Sequence, residues 1–368
     1  MTATNIFQPY TFTRSGLTAK NRITLAPMTN GQSHADGTLG DDEYRWLIRR
    51  AKEDFGVIIT CAAHVSADGQ GWPGELGIWD DSHISGLKRL ANGIQEFGSL
   101  ALVQIFHGGA RSPEHLTGTQ PWSASSHIYT TGSKNIDVRG ATEHDILRVT
   151  NDFIRAAVRA KEAGMDGIEL HGAHGYLIHQ FLSAETNTRT DRYGGSAENR
   201  SRFLADILTG IRDQVGDGFI AGVRISPEDK YTFKGIDFDE SVALASRLAK
   251  LGADYIHISP WNAFKKPDKY PSDDKALITW FRDTLPADVP VMVAGEIWSS
   301  DDGAKAMDLG ADFIALGRAA IGIPDWPARA RDLAFVPGYP PYTTEYLRAC
   351  DLSDTFIDYM RRWQGFVG

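Results

Sequence analysis

The sequence predicts an α/β fold, a (β/α)8 barrel with long loops after its third and sixth strands. Three observations carry this. Short apolar, β-branched runs recur eight times, and each is separated from the next by a segment with helical periodicity. The runs are continuously apolar rather than alternating, which suits strands buried on both faces of a parallel sheet. The first run ends in Pro27-Met28-Thr29 with no G-x-G-x-x-G turn behind it, which counts against a doubly wound open sheet.

The strand candidates run from Arg22 to Thr29, Phe55 to Ser66, Leu100 to Gly109, Met165 to His174, Phe219 to Ser226, Ala253 to Pro260, Val289 to Ile297 and Ala311 to Gly317. Between them lie amphipathic helix candidates that include Asp41 to Asp54, His83 to Phe97, Asp145 to Ala163, Asn199 to Val215 and Phe238 to Leu251. Gly98, Gly164, Gly216, Gly252 and Gly310 each stand where a left-handed residue closes a helix before the next strand. The long connections are Ala110 to Glu143 and Trp261 to Asp274. In a barrel both lie over the C-terminal face, where active sites sit, and are either substrate-shaping loops or solvated insertions.

A chain of 368 residues allows two domains or one enlarged barrel, since a barrel takes about 250 residues. The eight βα units favour a single domain over residues 1–368, with a core of about 20–334 and a tail of 335–368. The composition, 42% hydrophobic and 23% charged, is that of a folded globular protein and excludes a disordered or collagenous chain. A net charge of −9 without a basic tract argues against nucleic-acid and anionic-membrane partners, although one local pocket for an anion is compatible with it. Cys61 and Cys350 are too few for a disulfide framework or a zinc site and fit a reducing compartment. The N-terminus has no signal-peptide pattern and no apolar run approaches the ~18 residues of a membrane span. A cytoplasmic location is therefore expected.

The chemistry concentrates at strand ends. His171-Gly172-Ala173-His174-Gly175-Tyr176 follows the fourth apolar run. Two imidazoles three residues apart in a glycine-rich turn are able to bond one oxygen while the tyrosine donates a proton from another direction. Arg224, inside an otherwise apolar strand, needs an anion or several acceptors, because an unpaired buried guanidinium costs several kcal/mol. Gln104, buried in LALVQIF, likewise needs polar partners. Ala294-Gly295-Glu296 and Leu316-Gly317-Arg318 end strands seven and eight, where barrels often hold a phosphate. Trp261 and Trp298 either wall a pocket or pack the barrel.

The run HGAHGYLIHQFLSAETNTRTDRYGGSAENRSRF, from His171 to Phe203, resembles the longest signature of the old yellow enzymes, the NADH:flavin oxidoreductases. RITLAPMT, LVQIFHGG, GVRIS, AGEI and ALGRA keep that family's order, so the likeness covers about Asn5 to Ala334. The resemblance implies an FMN-containing barrel that takes hydride from NADH or NADPH and reduces activated C=C bonds of small enone-type electrophiles in a ping-pong cycle. It implies that Ala26, Pro27, Met28 and Thr29 line the flavin, that Ala62 packs beside it, and that Gln104 and Arg224 meet its pyrimidine edge. Gly295, Gly317 and Arg318 would hold the phosphate. His171 and His174 would bind and polarise the substrate carbonyl, and Tyr176 would protonate the α-carbon.

Branch markers are mixed. Classical members usually carry Asn where His174 stands, bacterial branches often carry Cys where Thr29 stands, and Gly31 occupies a place where a substrate-contacting Tyr is frequent. The thermophilic-like branch donates a C-terminal arginine into a neighbouring subunit's site. Arg361 or Arg362 is a candidate for that, with ordinary helix-surface arginines as the alternative, and a homo-oligomer stays open. Two cysteines are too few for the iron–sulfur cluster of the larger relatives. In the signature, Asp191, Arg192, Tyr193 and Asn199 are expected to organise the loop through salt bridges and capping near Ser196, and His179 to face the helix core or its end. A metal-dependent barrel hydrolase using His64, His107, His171, His174 and His179 is the first competing reading, and a non-catalytic flavin carrier the second.

Overall fold

The structure, a computed structural model, describes residues 3–229, 235–332 and 334–368. Eight parallel strands form a closed barrel: β1 (Ile23–Leu25), β2 (Val57–His64), β3 (Leu100–Phe106), β4 (Gly167–Gly172), β5 (Ile220–Ile225), β6 (Tyr255–Ile258), β7 (Val291–Ala294) and β8 (Phe313–Leu316). They pair in chain order, and β8 closes on β1 through Ile314 opposite Ile23 and Leu316 opposite Leu25. Each expected strand contains the observed one but overruns it, most of them at both ends, and the residues past the C-terminal ends leave the ladder to build the mouth. In the first, Ala26 N–H still reaches Leu316 O at 3.0 Å, but Pro27 has no N–H to offer and the chain turns away.

Helices α1 (Asp41–Lys52), α2 (Ile84–Gln95), α3 (Glu143–Glu162), α4 (Arg202–Val215), α5 (Phe238–Lys250), α6 (Leu277–Thr284) and α7 (Ser300–Asp308) follow the first seven strands. Thr142 with Asp145, and Ser299 with Asp302, form capping boxes that satisfy the first N–H groups of α3 and α7. The five glycines expected to close helices all have positive φ, whereas Asp54, with φ 75°, does the same work after α1. An N-terminal hairpin, Tyr10–Thr11 with Thr18–Ala19, lies under the barrel. From it Phe12 stacks on Phe313 at 5.5 Å, sealing the interior with an aromatic plug.

The surplus chain is folded. The connection after β3 holds a three-stranded sheet, Trp122–Ser123, Lys134–Gly140 and His127–Thr131, while that after β6 makes only turns. Helices Thr344–Ala349 and Asp354–Met360 in the tail return to the barrel. They are clipped there by buried Arg50, which donates to Cys350 O at 2.8 Å and to Ile321 O at 3.0 Å. Both cysteines are buried and unbridged. Among the described residues, no helix is long and apolar enough to cross a membrane.

One interior contact positions the site. Gly222 on β5 lies beside Tyr255 on β6, and a Cβ there would fall 1.9 Å from the tyrosine ring. The missing side chain is what lets Tyr255 cross the barrel and donate to Glu169 at 3.0 Å. Gly222→Ala should therefore destabilise by about 2–3 kcal/mol through overpacking, read as a lower midpoint in urea unfolding at an unchanged slope.

Candidate functional site

A cavity of about 750 Å³ opens at the C-terminal mouth of the barrel, a size typical of small-molecule and cofactor sites. Ala26, Pro27, Met28 and Thr29 form one wall where the chain leaves β1. Gly295, Gly317 and Arg318, at the ends of β7 and β8, form another. Beyond Gly317 the chain enters the short helix Arg318–Gly322, whose first-turn N–H groups have no intrahelical acceptor. Arg318 is paired with Glu296 and lies 5.8 Å from the Trp298 ring. This wall offers glycine backbone and a guanidinium, the donor set suited to a phosphate.

The floor is set by Arg224. Its Nη2 donates to Ser259 Oγ at 3.0 Å, and its Nε is buried with no partner among the described residues. Behind it, Glu169 accepts from Gln104 Nε2 at 2.7 Å, His257 Nδ1 at 2.8 Å and Tyr255 Oη at 3.0 Å. Burial pushes the Glu169 carboxyl up, but His257, Arg224 and Gln104 outweigh it and hold the group below the ordinary carboxylate range. Glu169 is thus the counter-charge of Arg224. Residue types could have signalled it, since a carboxylate within GIELHG poses the same question as the arginine within GVRIS.

The imidazole and phenol cluster sits opposite. His174 has φ +59°, a strained value for a non-glycine residue. It is held by its N–H donating to Ser226 Oγ at 3.1 Å and by Arg111 Nη1 donating to its carbonyl at 2.6 Å. His171 lies at 5.0 Å ring to ring from both His174 and Tyr176. Burial, reinforced by Arg224, pushes both imidazoles well below their ordinary 6.5, so they are neutral. Burial also lifts the Tyr176 phenol, against the pull of the Arg111 guanidinium 4.5 Å from its ring.

Not every expected residue reaches the cavity. His174, Tyr176 and Arg224 line it; His171, Ala62 and Gln104 do not. His171 packs edge-on against the other two rings, Ala62 follows a register shift in β2, and the Gln104 amide donates to Glu169, its register partner on β4. His179, expected to face the helix core or its end, lines the cavity instead with Nε2 3.5 Å from Asp229, because its helix starts at the mouth. Trp261 and Trp298 both wall the cavity. Ser196 caps the turn at Asn199 as expected, and Arg189 ties the signature loop to Ala124 O at 2.9 Å.

Arg111 from the loop after β3, Ser226 and Ser259 at strand ends, and Tyr359, Met360 and Trp363 from the tail also line the cavity, and none of them stands out in its local sequence. Arg361 and Arg362 are exposed beside them: Arg361 pairs with Asp358 at 3.3 Å and Arg362 lies over the Tyr359 ring at 5.2 Å. Among the described residues no three His, Cys, Asp or Glu side chains are placed to hold a metal ion, so the hydrolase reading has no ligand set there.

A closed parallel barrel with glycine backbone, guanidinium groups and neutral imidazoles at its mouth is of the barrel class whose C-terminal face suits a small molecule or cofactor. The family model for the NADH:flavin oxidoreductase / NADH oxidase family matches residues 5–333, and the chain belongs to that family, the old yellow enzymes. It is 38% identical over 331 residues to a probable NADH-dependent flavin oxidoreductase of Bacillus subtilis (strain 168), covering 89% of this chain and 88% of the relative. The old yellow enzyme homologue from Zymomonas mobilis superposes with TM-score 0.79 at 29% identity, over 93% of this chain and 96% of the other. Morphinone reductase in complex with tetrahydroNAD gives 0.77 at 28% identity, over 93% of each. Some relatives are longer: the chain spans 36% of an NADH:fumarate oxidoreductase of Klebsiella pneumoniae (strain 342). The protein is accordingly an oxidoreductase that works with FMN and a reduced nicotinamide.

The neutral imidazoles carry a consequence for stability. The unfolded chain takes up protons at His171 and His174 near their ordinary 6.5, and the folded state does not. Stability is therefore complete above that value and falls as pH drops below it. Thermal midpoints measured at descending pH should decline from about 6.5 downward, and less steeply in a His171→Asn variant.

Proposed function

We propose that the chain reduces activated C=C bonds of α,β-unsaturated carbonyl compounds, as an ene-reductase. The observation that carries this reading is one cavity with a phosphate-suited cradle and buried arginine on one side, and neutral imidazoles with a protonated tyrosine on the other. FMN bound there would supply a hydride acceptor for NADH or NADPH and a hydride donor for the alkene β-carbon.

Ala26, Pro27, Met28 and Thr29 would flank that cofactor, and Gly295, Gly317 and Arg318 would hold its phosphate. The partnerless Arg224 Nε fits an acceptor on the ring's pyrimidine edge, where a fixed cation favours the negative charge of the reduced state. Gln104, held by Glu169, and Ala62 would support the ring from behind the residues that wall the cavity. His174, with His171 behind it, would donate to the substrate carbonyl oxygen and so draw electron density from the β-carbon. Neutrality suits this task, since a neutral imidazole donates a hydrogen bond without surrendering its proton. Tyr176 keeps its proton across the ordinary pH range and would deliver it from Oη to the α-carbon. Trp261, Trp363 and Tyr359 at the rim would exclude water and select planar substrates.

The purified protein should be yellow, bleach on NADH or NADPH and regain colour with cyclohexenone. Tyr176→Phe should slow reoxidation by the enone by about 10²–10⁴-fold, the usual weight of a positioned proton donor, while flavin reduction stays within about twofold. Stopped-flow absorbance separates the two steps, and equal loss in both would remove Tyr176 from its role.

A further inference from the structure

Ser259 was not singled out by its sequence context, yet it stands at the junction of the two halves of the cavity. Its Oγ lies 3.0 Å from Arg224 Nη2 and 2.8 Å from His174 Nε2. We propose that Ser259 is a positioning residue that fixes His174 as the Nδ1–H tautomer, so that a standing N–H donor faces bound substrate. This rests on the reading of the site as one that binds a substrate oxygen.

A guanidinium has five N–H groups and no acceptor, so Ser259 Oγ accepts from Arg224. The hydroxyl keeps one proton, and His174 Nε2 is its hydrogen-bond partner. If Nε2 carried the ring proton, Ser259 would accept from both sides and its own O–H would have no protein acceptor among the described residues. The Nδ1–H tautomer satisfies both polar groups, and the alternative leaves the hydroxyl proton without a protein partner. The ring proton therefore resides on Nδ1. That atom makes no hydrogen bond among the described residues, yet it is not sealed from solvent, and the residue lines the cavity.

The rest of the residue is held to match. Ser226 and Arg111 fix the backbone on either side of the left-handed His174, and the rings of His171 and Trp261 pack against its imidazole at 5.0 and 6.1 Å. The chain Arg224 to Ser259 to His174 also runs in one direction, every donor pointing toward the cavity. A guanidinium at its head polarises the hydroxyl and then the imidazole. The Nδ1–H of His174 becomes a better donor to a carbonyl or phenolate oxygen, with Ser259 as the link between Arg224 and the substrate.

The test is spectroscopic. In ¹⁵N-histidine-labelled holoenzyme, long-range ¹H–¹⁵N spectra should give His174 a protonated Nδ1 and an unprotonated Nε2. Ser259→Ala should mix the two tautomers and weaken phenol, titrated against the flavin absorbance, by about tenfold. Ser259→Thr keeps the hydroxyl and should restore both signals. A wild-type His174 protonated at Nε2 overturns the proposal, as does an unchanged ¹⁵N pattern in Ser259→Ala. Wild-type protein that shows the Nδ1–H pattern but binds no phenol overturns the substrate-oxygen reading while upholding the tautomer assignment.

Discussion

A guanidinium buried at the C-terminal end of β5 is the constraint on which the rest of the site depends. Arg224 stands in a strand buried along its whole length, and leaving such a charge unpaired would cost about 3–5 kcal/mol. Glu169 supplies the opposite charge from the neighbouring strand, and three donors then hold the carboxylate in place. One of them, Tyr255, reaches it only because Gly222 has no side chain. A single cation thus dictates residue choice on β3, β4, β5 and β6. The same low-dielectric surroundings that demand the pairing keep His171 and His174 neutral and Tyr176 protonated.

The chain outside the eight βα units is drawn back to this site. Arg111, from the long connection after β3, supports both the His174 carbonyl and the Tyr176 ring. The tail, fastened to the barrel through Arg50, delivers Tyr359, Met360 and Trp363 to the rim. The invariant demands of a buried charge are met inside the barrel, and the aromatic walls that meet a substrate come from segments free to vary without disturbing it.

The parts legible in the sequence were those set by local physics. A doubly buried strand must be apolar along its whole length, a helix must be capped, and a left-handed closure favours glycine. Runs such as GVRIS therefore announced β5, and Gly164 or Gly252 marked where a helix stops. His174, Tyr176 and Arg224 were legible because polar groups at the end of an apolar run have few bland explanations. Strand ends were overrun because a residue such as Pro27 continues the apolar pattern after it has left the ladder.

The sequence by itself thus determined the barrel, the family and the mouth at which the chemistry gathers, because these follow from periodicity and from residue types at strand ends. Tertiary structure alone decided who partners whom. Gln104 pairs with Glu169, His171 packs edge-on against His174, and Ser259 joins Arg224 to His174 across 35 and 85 residues of chain. Such contacts arise only when the sheet closes and strands distant in sequence become neighbours in register. No local pattern specifies them, since their free energy comes from burial that does not exist until the barrel is shut.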